Sequence, residues 1–200
     1  MAIISLDEAR EEQNKKVKRK AQRIYEGLSE EEFGKLLTIT KKDHHRLAFL
    51  LAYGSGLRIS EVVGLKKDDV EYKSNKIFIR QGKGSKDRVV NTPKQLKEKY
   101  LNLLPFTITQ RAIEAVFLRK SLAAGINKII GYYTAKDKQI PIYRYHFHSL
   151  RHSYALRALD KGVPVNVLQA MLGHNSLATT DKYTKVTQQD AIEKILEKGV

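Results

Sequence analysis

The sequence predicts a mainly α-helical domain with one small antiparallel β-sheet, an α+β arrangement. Apolar residues recur at helical spacing through most of the chain, while β-branched runs of strand length stand out only around NKIFIRQGKGSKDRVVNTP. A further observation bounds the architecture: 200 residues with 42% hydrophobic content can bury one real core. Residues 28–200 are therefore expected to form one principal domain.

Residues 1–27 read as a basic N-terminal helix or linker, because NKKVKRKAQR carries a run of cations between Asn14 and Arg23. Such a run is either a solvated arm or a contact to a polyanion backbone. Ser29 with Glu32 three residues later has the form of a capping box, so a helix starts there and the main domain at Leu28. Leu47, Ala48, Phe49, Leu50 and Leu51 predict a buried helix over 43–53, broken by Gly54 and Gly56. Ile59, Val62 and Val63 begin the next helix. The runs 77–80 and 88–92 flank a turn rich in Gly, Lys and Ser, which predicts a hairpin. Pro93 stops the second strand and suits the first position of a following helix. Helices are expected over 107–124, 149–160, 164–172, 176–183 and 188–197, with an irregular piece around GYYTAKDKQIPIYRY.

The formal net charge is +15 and the pI about 9.8. This excess points to a polyanionic partner, since each neutralised phosphate releases counterions. No apolar run approaches the roughly 18 residues that span a bilayer, and no secretory pattern opens the chain, so no membrane partner and a cytoplasmic location are expected. With no cysteine there can be no disulfide, thiolate metal site or cysteine nucleophile.

The residues able to carry chemistry fall in short motifs. HFHSLRHSY places His148 and Arg151 at i, i+3. His148 and His152 at i, i+4 share a spacing known from zinc sites. No acidic residue completes an HExxH arrangement, however, so neither a metal nor any other cofactor is expected. Arg58 lies in a Gly-flanked turn, Lys83 and Lys86 on the hairpin turn, and Tyr183 beyond the Gly173–His174 pair. Alone, each lysine is an ordinary surface charge, and Tyr183 either packs its ring or offers its hydroxyl. Together they form an inventory for phosphoryl transfer. Guanidiniums grip non-bridging oxygens, a lysine or histidine moves protons, and a phenol attacks. No GxxxxGK[ST] loop occurs, GSGLRI lacks the third glycine of a dinucleotide fingerprint, and the carboxylates are too scattered for a two-metal nuclease.

These motifs stand in the order of a known family. AYGSGLRISEVVGLKKDDV, GKGSKDRVVNTP, HFHSLRHSYA and MLGHNSLATTDKYTKV resemble the successive boxes of the tyrosine recombinases, or phage integrases, most closely the Xer-like ones. The resemblance covers about residues 28–198 and implies the tyrosine-recombinase catalytic-domain fold. It implies that Tyr183 attacks the scissile phosphate to give a 3′-phosphotyrosyl bond and a 5′-hydroxyl. Arg58 and Arg151 would hold the phosphate, and Lys83, or Lys86 on the same turn, would protonate the leaving oxygen. His148 would assist proton transfer, His174 would bond the phosphate, and Glu61 would orient an arginine. The implied partners are a double-stranded DNA recombination site and other protomers in a DNA-bound dimer or tetramer. The tail helix 187–198, with Ala191, Ile192, Ile195 and Leu196 as an apolar stripe, would dock into a neighbouring protomer or fold back on its own domain. Two competing expectations share the fold: a DNA-binding relative that has lost chemistry, and a type IB topoisomerase. Family members usually carry a separate DNA-clamping domain ahead of the catalytic one; the 27 residues preceding Leu28 are too few for it.

Overall fold

The computed structural model describes residues 27–80, 87–135 and 138–173. Helix α1 (Glu30–Ile39) begins at the expected capping box. The Ser29 hydroxyl accepts the Glu32 N–H at 3.1 Å, and the Glu32 carboxylate accepts the Ser29 N–H at 2.9 Å. Phe33, Leu36 and Leu37, at i, i+3 and i+4, form its buried stripe. Leu28 is buried too, and its N–H bonds the Ser153 hydroxyl across the fold.

Helix α2 (Asp43–Ser55) is the axis of the core. Its residues 47–52 are buried in an unbroken run, so it is covered on every side rather than along one stripe. Phe49 on α2 meets Phe117 of α4 (Gln110–Ala123) and Phe147 of α5 (Phe147–Asp160), with ring centroids 5.7 and 6.2 Å apart. Gly54 does not break the helix as expected but lies within α2, where a side chain would meet Pro93 at 2.7 Å, and Gly56 ends it in the left-handed conformation at φ 69°. A side chain there would meet the Tyr154 ring at 2.6 Å, so glycine is required for both backbone conformation and space. Helix α3 (Ile59–Gly64) follows at once, and α6 (Val165–Leu172) packs near the end of α2.

The hairpin predicted around residues 77–92 is present as β2 (Lys76–Ile79) and β3 (Arg88–Asn91), with β1 (Val70–Glu71) adding a third antiparallel strand. Ile77 pairs with Val90 and Ile79 with Arg88, which places Arg88 on the inward face with the apolar residues.

Several other expectations need correction. No α-helix opens at Pro93; a turn leads instead to a 3₁₀ helix at Glu98–Leu103. The natural cap, Thr92, is committed elsewhere. Its N–H bonds the Asn75 carbonyl and its hydroxyl bonds Asn75 Oδ1. The segment read as irregular is a two-stranded ribbon, β4 (Ile129–Ala135) and β5 (Lys138–Tyr143), so the described residues hold two small sheets rather than one. Asn127 closes the base of the ribbon. Its amide accepts the Tyr145 N–H and donates to the Tyr145 carbonyl, both at 2.9 Å. The ribbon leaves Ile130 and Tyr132 nearly 60% exposed, and so lacks the in–out alternation that identifies a half-buried strand. Helix α4 starts at its Thr109 cap rather than at 107, and α5 starts at 147 rather than 149. The expected helices at 176–183 and 188–197 and the basic N-terminal segment lie outside the described residues. Among the described residues, no helix is long and apolar enough to cross a membrane.

Phe117→Ala is expected to cost about 3–5 kcal/mol by opening a cavity among the three rings. Asn127→Ala leaves the Tyr145 backbone groups unpaired, costing about 1–3 kcal/mol. Urea unfolding checks both, as lower midpoints at an unchanged slope.

Candidate active site

The Gly56 turn delivers Arg58 to the start of α3, in extended backbone conformation one residue before the first helical turn. Glu61, at the third position of that turn, folds back on it. One carboxylate oxygen accepts the Arg58 backbone N–H at 2.7 Å, and the other accepts Arg58 Nη1 at 2.9 Å. An acid here also complements the positive end of the helix. Arg151, on α5, brings Nη1 to within 3.8 Å of Glu61 Oε2 and donates from Nη1 to the Gly56 carbonyl at 2.7 Å. Glu61 thus draws together two arginines from distant parts of the chain.

A third guanidinium joins them. Arg88, on β3, donates from Nη2 to Glu61 Oε2 at 2.9 Å. The three arginines also divide the exit of α6 among themselves. Arg88 Nε bonds the Met171 carbonyl at 2.7 Å, Arg151 Nη2 the Leu172 carbonyl at 2.6 Å, and Arg58 Nη2 the Gly173 carbonyl at 2.7 Å. The last carbonyls of a helix have no intrahelical donor and form the negative end of its dipole, so cations there are doubly favoured. Gly173 itself is left-handed at φ 62°, and a Cβ would sit 3.1 Å from Arg88 Nη1. The glycine of the Gly-His pair is therefore explained by backbone conformation and by the guanidinium lying against it.

Burial grades the cluster. Arg151 is 1% exposed, Arg88 7%, Glu61 10% and Arg58 34%, so Arg58 is the guanidinium that faces outward. Burial alone would raise the Glu61 carboxyl pKa. The hydrogen bonds from Arg88 and the Arg58 backbone, with the charges of Arg88 and Arg151, outweigh it and hold the group below its ordinary value. His148 is held below the ordinary imidazole value by desolvation first, then by repulsion from Arg151 and Arg58. It is neutral at pH 7 and able to accept a proton. The His148 and His152 rings stand edge to face, 4.7 Å between centroids.

Of the residues singled out in the sequence, the structure brings together Arg58, Glu61 and Arg151, with His148 in their field. Lys83, Lys86, His174 and Tyr183 lie outside the described residues. Arg88 is not among the residues singled out, because in the sequence it stands only at the head of the strand run 88–92. Its parity with Val90, which puts a charge on the buried face of a strand, is the signal that could have found it.

Removing the Glu61 charge leaves buried guanidiniums uncompensated, so Glu61→Gln is expected to cost about 3–5 kcal/mol near neutrality. The folded-state pKa is depressed, so this contribution is full above the ordinary value of 4.5 and disappears as pH falls through the folded-state value. The stability gap between wild type and variant, followed by urea unfolding at several pH values, therefore narrows on acidification below 4.5. An NMR titration of His148 is expected to show a midpoint below 6.5, moving upward in Arg58→Ala.

The chain is similar to known proteins of one family. The Phage integrase family profile matches residues 26–190. Tyrosine recombinase XerA of Thermococcus onnurineus (strain NA1) is 40% identical over 178 residues, spanning 86% of this chain and 62% of the relative. The chain thus spans about three fifths of the length of that protein. The crystal structure of XerA recombinase superposes with a TM-score of 0.66 at 25% identity, over 86% of this chain and 63% of that one. XerH site-specific recombinase, solved bound to palindromic difH substrate in a post-cleavage complex, shares the fold with a TM-score of 0.60 at 24% identity, over 84% and 52%. The chain belongs to the phage integrase family, with an Xer-like tyrosine-recombinase catalytic domain.

Proposed function

We propose that this chain carries the catalytic domain of a site-specific DNA recombinase or integrase, which breaks and rejoins strands through a covalent 3′-phosphotyrosyl intermediate. The observation that carries this reading is the convergence of Arg58 and Arg151, 93 positions apart, on Glu61 and on adjacent carbonyls at the end of α6. A cationic pocket of this kind, next to a neutral imidazole, suits a phosphodiester whose charge grows in the transition state.

In this scheme the Tyr183 phenol oxygen attacks phosphorus and the P–O5′ bond breaks. The phenol proton passes to His148, and Lys83, or Lys86 on the same turn, gives a proton to the departing 5′ oxygen. Arg58, the outward-facing guanidinium, contacts the non-bridging oxygens, Arg151 reinforces the field from beneath, and His174 bonds a phosphate oxygen. Glu61 keeps the arginines in register. The phosphotyrosyl ester conserves the energy of the broken bond, so resealing by a 5′-hydroxyl requires no nucleotide.

The partners on this reading are a duplex recombination site, supported by the charge of +15, and further protomers of the same chain. XerH, bound to its difH substrate, is a precedent for the first. The tail helix 187–198 is the segment proposed to dock into a neighbouring protomer.

A duplex nicked near the cleavage point traps the intermediate. Wild type is expected to give a covalent protein–DNA band and Tyr183→Phe none, while Arg151→Ala lowers the rate by about 10²–10³-fold. DNA binding without any band in wild type would instead mark a relative that has lost its chemistry. Relaxation of supercoiled DNA without site preference would mark a topoisomerase.

A further inference from the structure

Arg88 has no part in the scheme above, yet it joins the elements on which that scheme depends. It stands on β3, immediately after the lysine-bearing turn in the sequence. From there it reaches α3 through Glu61 Oε2 and the last turn of α6 through the Met171 carbonyl. Its Nη1 is buried against Gly173 with no hydrogen-bond partner among the described residues. A buried guanidinium with an unsatisfied donor is costly, and an apolar side chain at this inward strand position would pack at least as well. What an apolar residue cannot do is hold two acceptors from two helices at a fixed separation. Lysine cannot do so either, because its single ammonium lacks the planar fork that spans both.

Building on the strand-transfer reading, we propose that Arg88 is a positioning residue. By bonding Glu61 on one side and the α6 terminus on the other, it sets the arginine pair against the chain that leaves α6 towards Tyr183, and it touches no reacting atom. The chain that bears the nucleophile and the pocket that receives the phosphate are then held in register from the same strand that follows the lysine turn.

The test uses the nicked duplex, with adduct formation followed in single turnover at saturating DNA and at a temperature where melting shows every variant folded. Arg88→Met is expected to slow the adduct by about 10- to 100-fold while DNA affinity stays within about twofold, because misplacement by an ångström damages the step and not the binding. The double variant Arg88→Met/Glu61→Gln is expected to be no slower than the slower single variant, within about threefold, because both changes disturb one unit. Arg88→Lys, which keeps the charge beside Glu61 but cannot bridge to Met171, is read in the same way should the methionine variant fail to fold. Adduct formation by a folded Arg88 variant at the wild-type rate overturns the inference, as does a loss that multiplies with that of Glu61→Gln. A wild-type chain that forms no adduct overturns the strand-transfer reading and this inference with it. An active wild type with indifferent Arg88 variants overturns only this one.

Discussion

The Glu61 carboxylate lies within 2.9 Å of guanidinium nitrogens from Arg58 and Arg88 and 3.8 Å from one of Arg151. Three cations packed this closely repel one another, and the acid between them is what permits the arrangement. At about 4 Å and an effective dielectric constant near 20, a single pair of unit charges attracts by about 4 kcal/mol, comparable with the penalty for desolvating one ion. With one anion shared by three cations, the cluster holds together and still keeps a surplus of positive charge. A pocket that receives a phosphate, as proposed for this one, needs both properties.

Backbone carbonyls among the described residues add to the neutralisation. The Met171, Leu172 and Gly173 carbonyls each accept a hydrogen bond from a different arginine. A carbonyl brings partial negative charge without cancelling a full positive one, so the guanidiniums are satisfied and oriented while the net field survives. The same bonds fix where α6 ends. The arginines come from an α3 entry, a β3 strand and helix α5, so three separate elements agree on one helix terminus. Gly56 and Gly173 supply the left-handed turns that let the backbone meet these side chains, one at the exit of α2 and one at the exit of α6.

The cluster sits on a core built for rigidity. Helix α2 is enclosed on all sides and locked to α4 and α5 by three aromatic rings, and its last turn leads directly to Gly56 and Arg58. The β4–β5 ribbon is the contrasting part. Asn127 ties down its base, but its apolar and aromatic side chains face outward, away from the packed centre.

Much of this was legible in the chain itself, wherever the information is local. The capping box at Ser29, the buried run 47–51, the glycine break at Gly56 and the paired strands on either side of the lysine turn each depend on residues within a few positions of one another, and each stands where the sequence places it. The family boxes carry the same kind of local signal, and they single out Arg58, Glu61, His148 and Arg151 from the sequence alone. Tertiary structure alone decided what lies far apart in sequence. Thr92 is drawn to Asn75 and so does not cap a helix after Pro93, a competition that propensity cannot weigh. Two exposed strands with no buried face show no period, so the ribbon emerges only when Asn127 closes its base on Tyr145. Arg88 acquires its meaning from Glu61 and Met171, 27 residues before it and 83 after. A buried charge is tolerable only beside its partners, and bringing those partners together is the work of the fold as a whole.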